Sequence, residues 1–346
     1  MKILHVITSL EIGGAQRLLA DLLPLQATTE KVTLLVYVRV GNDIEKSLEQ
    51  AGITIISLDE HNFHNPGVVF RLRKLIKNYD LVHAHLFPTI YWASLAARAL
   101  NIKLVYTEHS TSNSRRGKWY FRPVERFMYG RYDKIISISQ QTQDALTSWL
   151  NQHDSRFVVI NNGVDIKRFS SVAAPVEHNS LIMVSRFASS KDQETVIRSM
   201  QYIKDATLRF VGDGPNRVHC EEIAKDLGLS ERIKFLGTRS DVPELVASSY
   251  IGIQSSNWEG FGLTAVELMA AGKPVLATDV DGLKQVVEGA GEIFHLGDAR
   301  GLAAKISHLL NDKDYYCIVA KRCKERAKEY DISAMDMNYK SVYYTI

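Results

Sequence analysis

Cysteine is scarce: Cys220, Cys317 and Cys323 are the only three in 346 residues, an odd number with no Cys-x-x-Cys spacing. Nothing supports a disulfide framework, and the expectation is a reduced, cytoplasmic chain. Long apolar runs are missing as well. The cleanest stretches, such as VTLLVYV at 32–38, have strand length and fall far below the ~18 residues that suggest a bilayer span. The opening MKILHVITSL has one lysine and a short apolar run leading into a glycine turn, which reads as a first strand and not as a signal peptide. No Gly-x-Gly-x-x-Gly follows that strand, where SLEIGGAQR stands, and no Gly-x4-Gly-Lys-Ser/Thr occurs. These absences argue against a dinucleotide-dependent oxidoreductase and against a P-loop NTPase. The net charge of +3 is modest and no nucleic-acid-binding signature is present, so no nucleic acid is expected among the partners.

An apolar content of 45% and a charged content of 23% describe an ordinary globular protein. The length fits two domains of about 150–200 residues each. The charge is uneven: residues 1–168 carry 21 Lys/Arg against 15 Asp/Glu, and the remainder 21 against 24. Much of the basic excess lies in 114–134, where Arg115, Arg116, Lys118, Arg122, Arg126 and Arg131 alternate with Trp119, Tyr120, Phe121 and Phe127. That mixture suits an anionic membrane surface, such as the inner face of a plasma membrane. The same segment fits a second reading. Tyr120, Val124, Phe127 and Met128 recur at helical spacing, as on a helix packed against its own domain with a solvated basic face.

Strand-like runs alternate with amphipathic segments from the start: KILHVI, VTLLVY, ITIISL, LVHAHL, KLVYTEH and KIISIS. The alternation predicts a parallel sheet with helices on both faces. Turn-forming residues collect at 162–180, where an interdomain linker is expected. A second series follows: LIMVSRF, ATLRFVG, RIKFLG, YIGIQSS, PVLAT and GEIFHL, the pattern of a second Rossmann-like domain. The expected domains are 1–168 and 169–330, with a long charged helix over 311–330.

The most informative segment is WEGFGLTAVELMAAGKPVLATDV at 258–280. Glu259 and Glu267 flank a turn bracketed by Gly260 and Gly262, and a helix opens behind it. Glycines let the backbone approach a ligand, the first helical amides suit an anion, and carboxylates accept from hydroxyls. A ligand with hydroxyls at both ends and a diphosphate between them is a nucleotide sugar. Thr264 and Glu267 also spell Thr-x-x-Glu, a capping box that would hold a helix start without any ligand.

EGFGLTAVE resembles the Glu-x7-Glu signature of the retaining, family-4-like glycosyltransferases of the GT-B fold. Gly13-Gly14, TEHS at 107–110, NGVDIKRF at 162–169, VSRFASSKD at 184–192, VGDGP at 211–215 and FLG at 235–237 extend the resemblance over nearly the whole chain. It implies an α/β protein of two Rossmann-like domains facing each other across a cleft, with residues 331–346 returning to the first. It also implies transfer of a sugar from a nucleotide-diphosphate sugar to a glycan or lipid-linked acceptor in surface polysaccharide assembly. A UDP-sugar is the favoured donor and GDP-mannose the next. Arg186 and Lys191 match the pair that contacts the donor diphosphate, Gly14 the amide that backs it, and His109 the histidine beside the transferred sugar. Glu259 matches the glutamate facing the donor sugar and Glu267 the one binding ribose. Phe261, Leu263 and Thr264 belong to the same donor-binding loop and helix start. Gly212 and Arg239 lie where the base is expected. Asn162, Gly163 and Asp165 match a loop at the domain junction. The family generally needs no metal or other cofactor, and Arg and Lys stand where a metal would sit. His83 and His85 share a strand face, but no third metal ligand is evident in the sequence. Gln285 departs from the family's usual glutamate, which puts the support of the donor loop in question. A nucleotide-sugar epimerase, a glycan phosphorylase or a non-catalytic sugar-binding module remain the alternatives.

Overall fold

The computed structural model describes residues 1–11 and 13–346. It contains two compact units, Met1–Gly163 together with Ile332–Ile346, and Val164–Asp331. The division precedes the expected boundary after Arg168. The Val164 amide donates to the Tyr330 carbonyl at 2.9 Å, and Asp165 caps the short helix Ile166–Ser170. That helix packs on the helix Leu263–Ala270 and buries Phe169.

The first unit holds a seven-stranded parallel sheet of order β3-β2-β1-β4-β5-β6-β7. Its strands are β1 (Lys2–Ile7), β2 (Lys31–Val36), β3 (Thr54–Ser57), β4 (Leu81–His85), β5 (Lys103–Glu108), β6 (Lys134–Ser137) and β7 (Phe157–Val159). Runs such as LVHAH are buried throughout, as expected of strands covered on both faces. β7 is absent from the sequence reading because three edge residues, two of them only half-buried, leave too short a periodic signal. One face is covered by the helices Gly14–Ala27 and Ile332–Thr345. Ile332, Met335, Tyr339 and Tyr343 enter a core with Ile3, Leu18, Leu22, Leu81 and Val105. Those positions repeat at helical intervals, so the C-terminal helix turns one stripe to the sheet.

The second unit repeats the plan in six parallel strands of order β10-β9-β8-β11-β12-β13. They are β8 (Ser180–Val184), β9 (Thr207–Val211), β10 (Ile233–Phe235), β11 (Ile251–Gln254), β12 (Val275–Thr278) and β13 (Glu292–Phe294). Leu181, Ile182, Met183, Leu208, Phe210, Ile253 and Leu276 are fully buried between the helical layers. The charged helix expected over 311–330 runs from Lys313 to Ala327, because the Asp312 side chain accepts from the Tyr315 amide and starts it there.

Candidate functional site

In an open parallel sheet, ligands bind beyond the carboxyl ends of the strands where the strand order reverses. In the second unit that point lies between β8 and β11. The loops leaving these two strands carry Arg186 and Lys191 on one side and Glu259 to Thr264 on the other. They are stitched together. Lys191 and Ser256 form an antiparallel bridge, and the Asn257 Nδ2 group donates to the Ser189 carbonyl at 2.9 Å and the Lys191 carbonyl at 3.3 Å. Asp192 joins the loops again, accepting from Ser255 Oγ at 3.0 Å while capping the helix Gln193–Ser199.

Lys191 Nζ forms an ion pair with Glu259 and donates to Ser256 Oγ at 3.2 Å. Both charged side chains are half-buried, and ion pairs of this exposure add little to stability. What the pair secures is position: a cation and a carboxylate are held together at the mouth of the sheet. Arg186 is exposed and makes no ion pair among the described residues.

The helix Leu263–Ala270 starts on Gly262, whose backbone is left-handed at φ 88° and ψ 45°. The capping box read from Thr264 and Glu267 does not form as such. Thr264 already lies inside the helix, the N-cap residue Gly262 has no side chain to cap with, and glycine's freedom makes the entry. Glu267 follows Thr264 by three positions, on the same face of the helix. Phe261 is buried against Tyr330, with ring centroids 5.3 Å apart, which leaves only its backbone for a ligand. Gly282 backs the glutamate loop so tightly that a Cβ there would collide with the Glu259 carbonyl. Gln285 supports the same turn: its Oε1 accepts from the Gly282 amide at 2.7 Å and its Nε2 donates to Asp281 at 3.3 Å. The side-chain oxygen that a glutamate would offer to that amide is therefore retained.

Gly212 has φ 128°, and a Cβ would strike the Ser185 carbonyl. Its amide donates to the Gly237 carbonyl at 2.8 Å, so it acts by shaping the loop and not as a free donor to a ligand. Arg239 is exposed, forked onto Asp241 at 2.7 and 2.6 Å. Sequence reasoning missed Ser256 and Asn257, and took Gly282 only as part of the segment in which Gln285 departs from the family pattern. Their only signal is that they flank the segment 258–280.

In the first unit, Gly14 opens the helix after β1, and among the described residues no side chain caps that helix start, which leaves early amides suited to an anion. His109 follows β5 at the carboxyl edge of the sheet and is half-buried. Beneath it lies a cluster the sequence did not reveal. His5 on β1 pairs in register with His83 on β4, and His85 pairs with Thr107 on β5. The third residue that the sequence did not make evident is His5, from a neighbouring strand, and nitrogen atoms of His5, His83 and His85 lie within 4.8 Å of one another. Every ring nitrogen of these three already has a protein partner: Gln26, His85, Tyr343, Thr107, His5 or His109. Burial lowers the pKa of His5 to about 4 and that of His109 to about 4. It drives His83 and His85 well below the ordinary histidine range, with neighbouring histidines adding to the shift.

The basic aromatic segment contains the helix Phe121–Tyr129, which buries Glu125 and Tyr129. Of the face that the second reading packs inward, Tyr120, Val124 and Phe127 are exposed and Met128 is half-buried, while Trp119 is 81% exposed. Polar anchors reverse the helix. Arg115 pairs with Glu125 at 2.7 Å, Trp149 also donates to Glu125, and Tyr129 donates to Glu108 at 2.5 Å. Among the described residues, no helix is long and apolar enough to cross a membrane.

Comparison with known proteins agrees with this architecture. The profile for glycosyl transferases group 1 matches residues 165–330, and that for glycosyltransferase family 4 matches residues 12–168. The N-acetyl-alpha-D-glucosaminyl L-malate synthase of Bacillus anthracis is 27% identical over 291 residues, covering 78% of this chain and 76% of that protein. The UDP-Gal:alpha-D-GlcNAc-diphosphoundecaprenol alpha-1,3-galactosyltransferase of Escherichia coli is 25% identical, covering 74% and 73%. Among solved structures, Anabaena HepE in complex with UDP and glucose superposes over all of both chains, with a TM-score of 0.88 and 22% identity. With the two profiles matching in tandem, one to each half, the chain belongs to the family-4-like glycosyltransferases of the GT-B fold.

Proposed function

We infer that this protein is a retaining glycosyltransferase that takes a UDP-sugar as donor and a glycan or lipid-linked alcohol as acceptor. The observation that carries the reading is the Lys191–Glu259 pair, held beside the Gly260–Gly262 turn at the strand-order reversal of the second unit. Breaking the anomeric bond puts negative charge on the leaving diphosphate, and cations fixed where that charge develops lower the barrier. Lys191 and Arg186 supply them, and no metal is needed for that task. Glu267 accepts from the ribose hydroxyls and Glu259 from the donor sugar. UDP and glucose in HepE, and UDP-galactose in the name of the Escherichia coli relative, favour uridine as the base.

Glu259 is tied to Lys191 and to the Gly260 amide at 3.1 Å, which makes it a poor nucleophile for a double displacement. Transfer then proceeds on one face of the sugar. The acceptor oxygen bonds to the anomeric carbon as the bond to the diphosphate oxygen breaks, and the acceptor's proton passes to that leaving oxygen. The exposed Trp119, Tyr120 and Phe127 among basic residues support contact with an anionic membrane surface carrying a lipid-linked acceptor for surface polysaccharide.

Thermal-shift screening of UDP-, GDP- and ADP-sugars tests the donor, since a ligand bound to the native state raises its apparent stability. UDP-sugars are expected to stabilise the protein, and Lys191→Met to abolish most of the gain. Stabilisation by none of the three classes would refute the reading. Interconversion of the donor sugar without any acceptor would point to an epimerase instead.

A further inference from the structure

The histidine cluster under His109 has a direction. An amide oxygen only accepts and an amide nitrogen only donates, while a neutral imidazole has one donor and one acceptor nitrogen. Gln26 presents Oε1 to His5 Nε2 at 2.9 Å, so His5 carries its proton on Nε2. His5 Nδ1 must then accept, and it faces His85 Nε2 at 3.0 Å. His85 Nδ1 must in turn accept from His109 Nε2 at 3.2 Å. The other half of the same amide enforces a matching order. Gln26 Nε2 donates to Tyr343 Oη at 3.5 Å, Tyr343 donates to His83 Nδ1 at 2.6 Å, and His83 Nε2 donates to Thr107 Oγ1 at 2.7 Å. His5, His83, Gln26 and Tyr343 are at most 1% exposed, so water cannot repair a mismatched pair, and each lost partner leaves a costly buried polar group.

We propose that Gln26, His5 and His85 form a positioning relay that fixes His109 as its Nε2–H tautomer, leaving Nδ1 as an acceptor for a hydroxyl of the bound sugar substrate. His109 Nδ1 has no partner among the described residues. The opposite tautomer would present an N–H, suited to a phosphate oxygen. The relay thus decides whether His109 can meet a hydroxyl or a phosphate oxygen. The assignment of the hydroxyl rests on the glycosyltransferase reading above; the tautomer order does not.

The test is long-range ¹H–¹⁵N correlation of the imidazole rings in ¹⁵N-histidine-labelled protein, with His5, His85 and His109 resolved. All three should show Nε2–H in the unaltered chain. Gln26→Leu removes both ends of the amide, and Tyr343→Phe removes one hydroxyl and releases the amide to rotate; each should shift His109 to a mixture of tautomers. A change confined to packing at Gln26 would not reach a ring two histidines away. His109 found as Nδ1–H in the unaltered protein, or unmoved in both variants, would overturn the relay. Calorimetry adds a second readout: Gln26→Leu should weaken UDP-glucose binding by about two- to tenfold, the worth of one neutral hydrogen bond, and leave UDP binding unchanged. Loss of UDP and UDP-glucose affinity alike would contradict the hydroxyl assignment. If the unaltered protein binds neither while its tautomers are as stated, the ligand assignment falls and the relay stands.

Discussion

Acidification should destabilise the first unit well before its carboxylates titrate. His5 is fully buried and its pKa is lowered from 6.5 to about 4. The unfolded chain therefore binds a proton in a range where the folded chain does not, and stability falls as pH drops through that range. The contribution is intact above about pH 6.5, shrinks below it, and is fully lost near pH 4. Integrating the linkage relation from pH ~7.5 to ~5 gives a loss of about 2 kcal/mol for His5 alone. His109, His83 and His85 shift in the same direction, so this figure is a floor for the cluster. Glu30 works in the same direction but at lower pH: its lowered pKa gives stability that is present above the ordinary carboxylate range and is lost as pH falls from that range through the folded value. Trp92, Trp119 and Trp149 lie in the first unit and Trp258 in the second, so urea unfolding of a Trp258→Phe variant followed by tryptophan fluorescence reads the first unit. With a slope of about 2 kcal/mol per molar, the midpoint should fall by about 1 M across that pH range. A flat or rising midpoint between pH ~7.5 and ~5 would show that the histidines are not held neutral.

Three further outcomes follow from the geometry. Glu267→Ala should weaken UDP binding by about 10- to 150-fold, the worth of a charge-assisted hydrogen bond; unaltered affinity in calorimetry would remove Glu267 from the donor site. Gly212→Ala forces a Cβ onto the Ser185 carbonyl at φ 128° and should destabilise the second unit by about 1–3 kcal/mol, measured as a lower urea midpoint. Trp119→Ser, at an 81% exposed position, should leave thermal stability within about 0.5 kcal/mol yet reduce co-sedimentation with phosphatidylglycerol vesicles; equal sedimentation would argue for a merely solvated face.

The alternation of β-rich and amphipathic runs was enough to place twelve of the strand positions, because a strand buried on both faces must be apolar along its whole length. Gly262 was legible for a similar reason, since a left-handed helix entry needs glycine, whereas Lys191 and Glu259 were singled out mainly by the family resemblance. Other features were illegible because their cause is non-local. Nothing near residue 125 reveals that Arg115, Trp149 and Tyr91 converge on Glu125 and so turn Tyr120, Val124 and Phe127 outward.

The sequence by itself determined two Rossmann-like units, the glycine turn with its flanking carboxylates, and the absence of a spanning apolar run, since these depend on periodicity and on residue types a few positions apart. Only the tertiary structure decided that Lys191 meets Glu259 across the reversal of strand order, that Gly212 shapes a loop, and that His5 and His85 link Gln26 to His109. Residues from β1, β4, β5 and the helix at Gln26 become neighbours through sheet register. Register is set by how whole faces pack, which no local run of residues records.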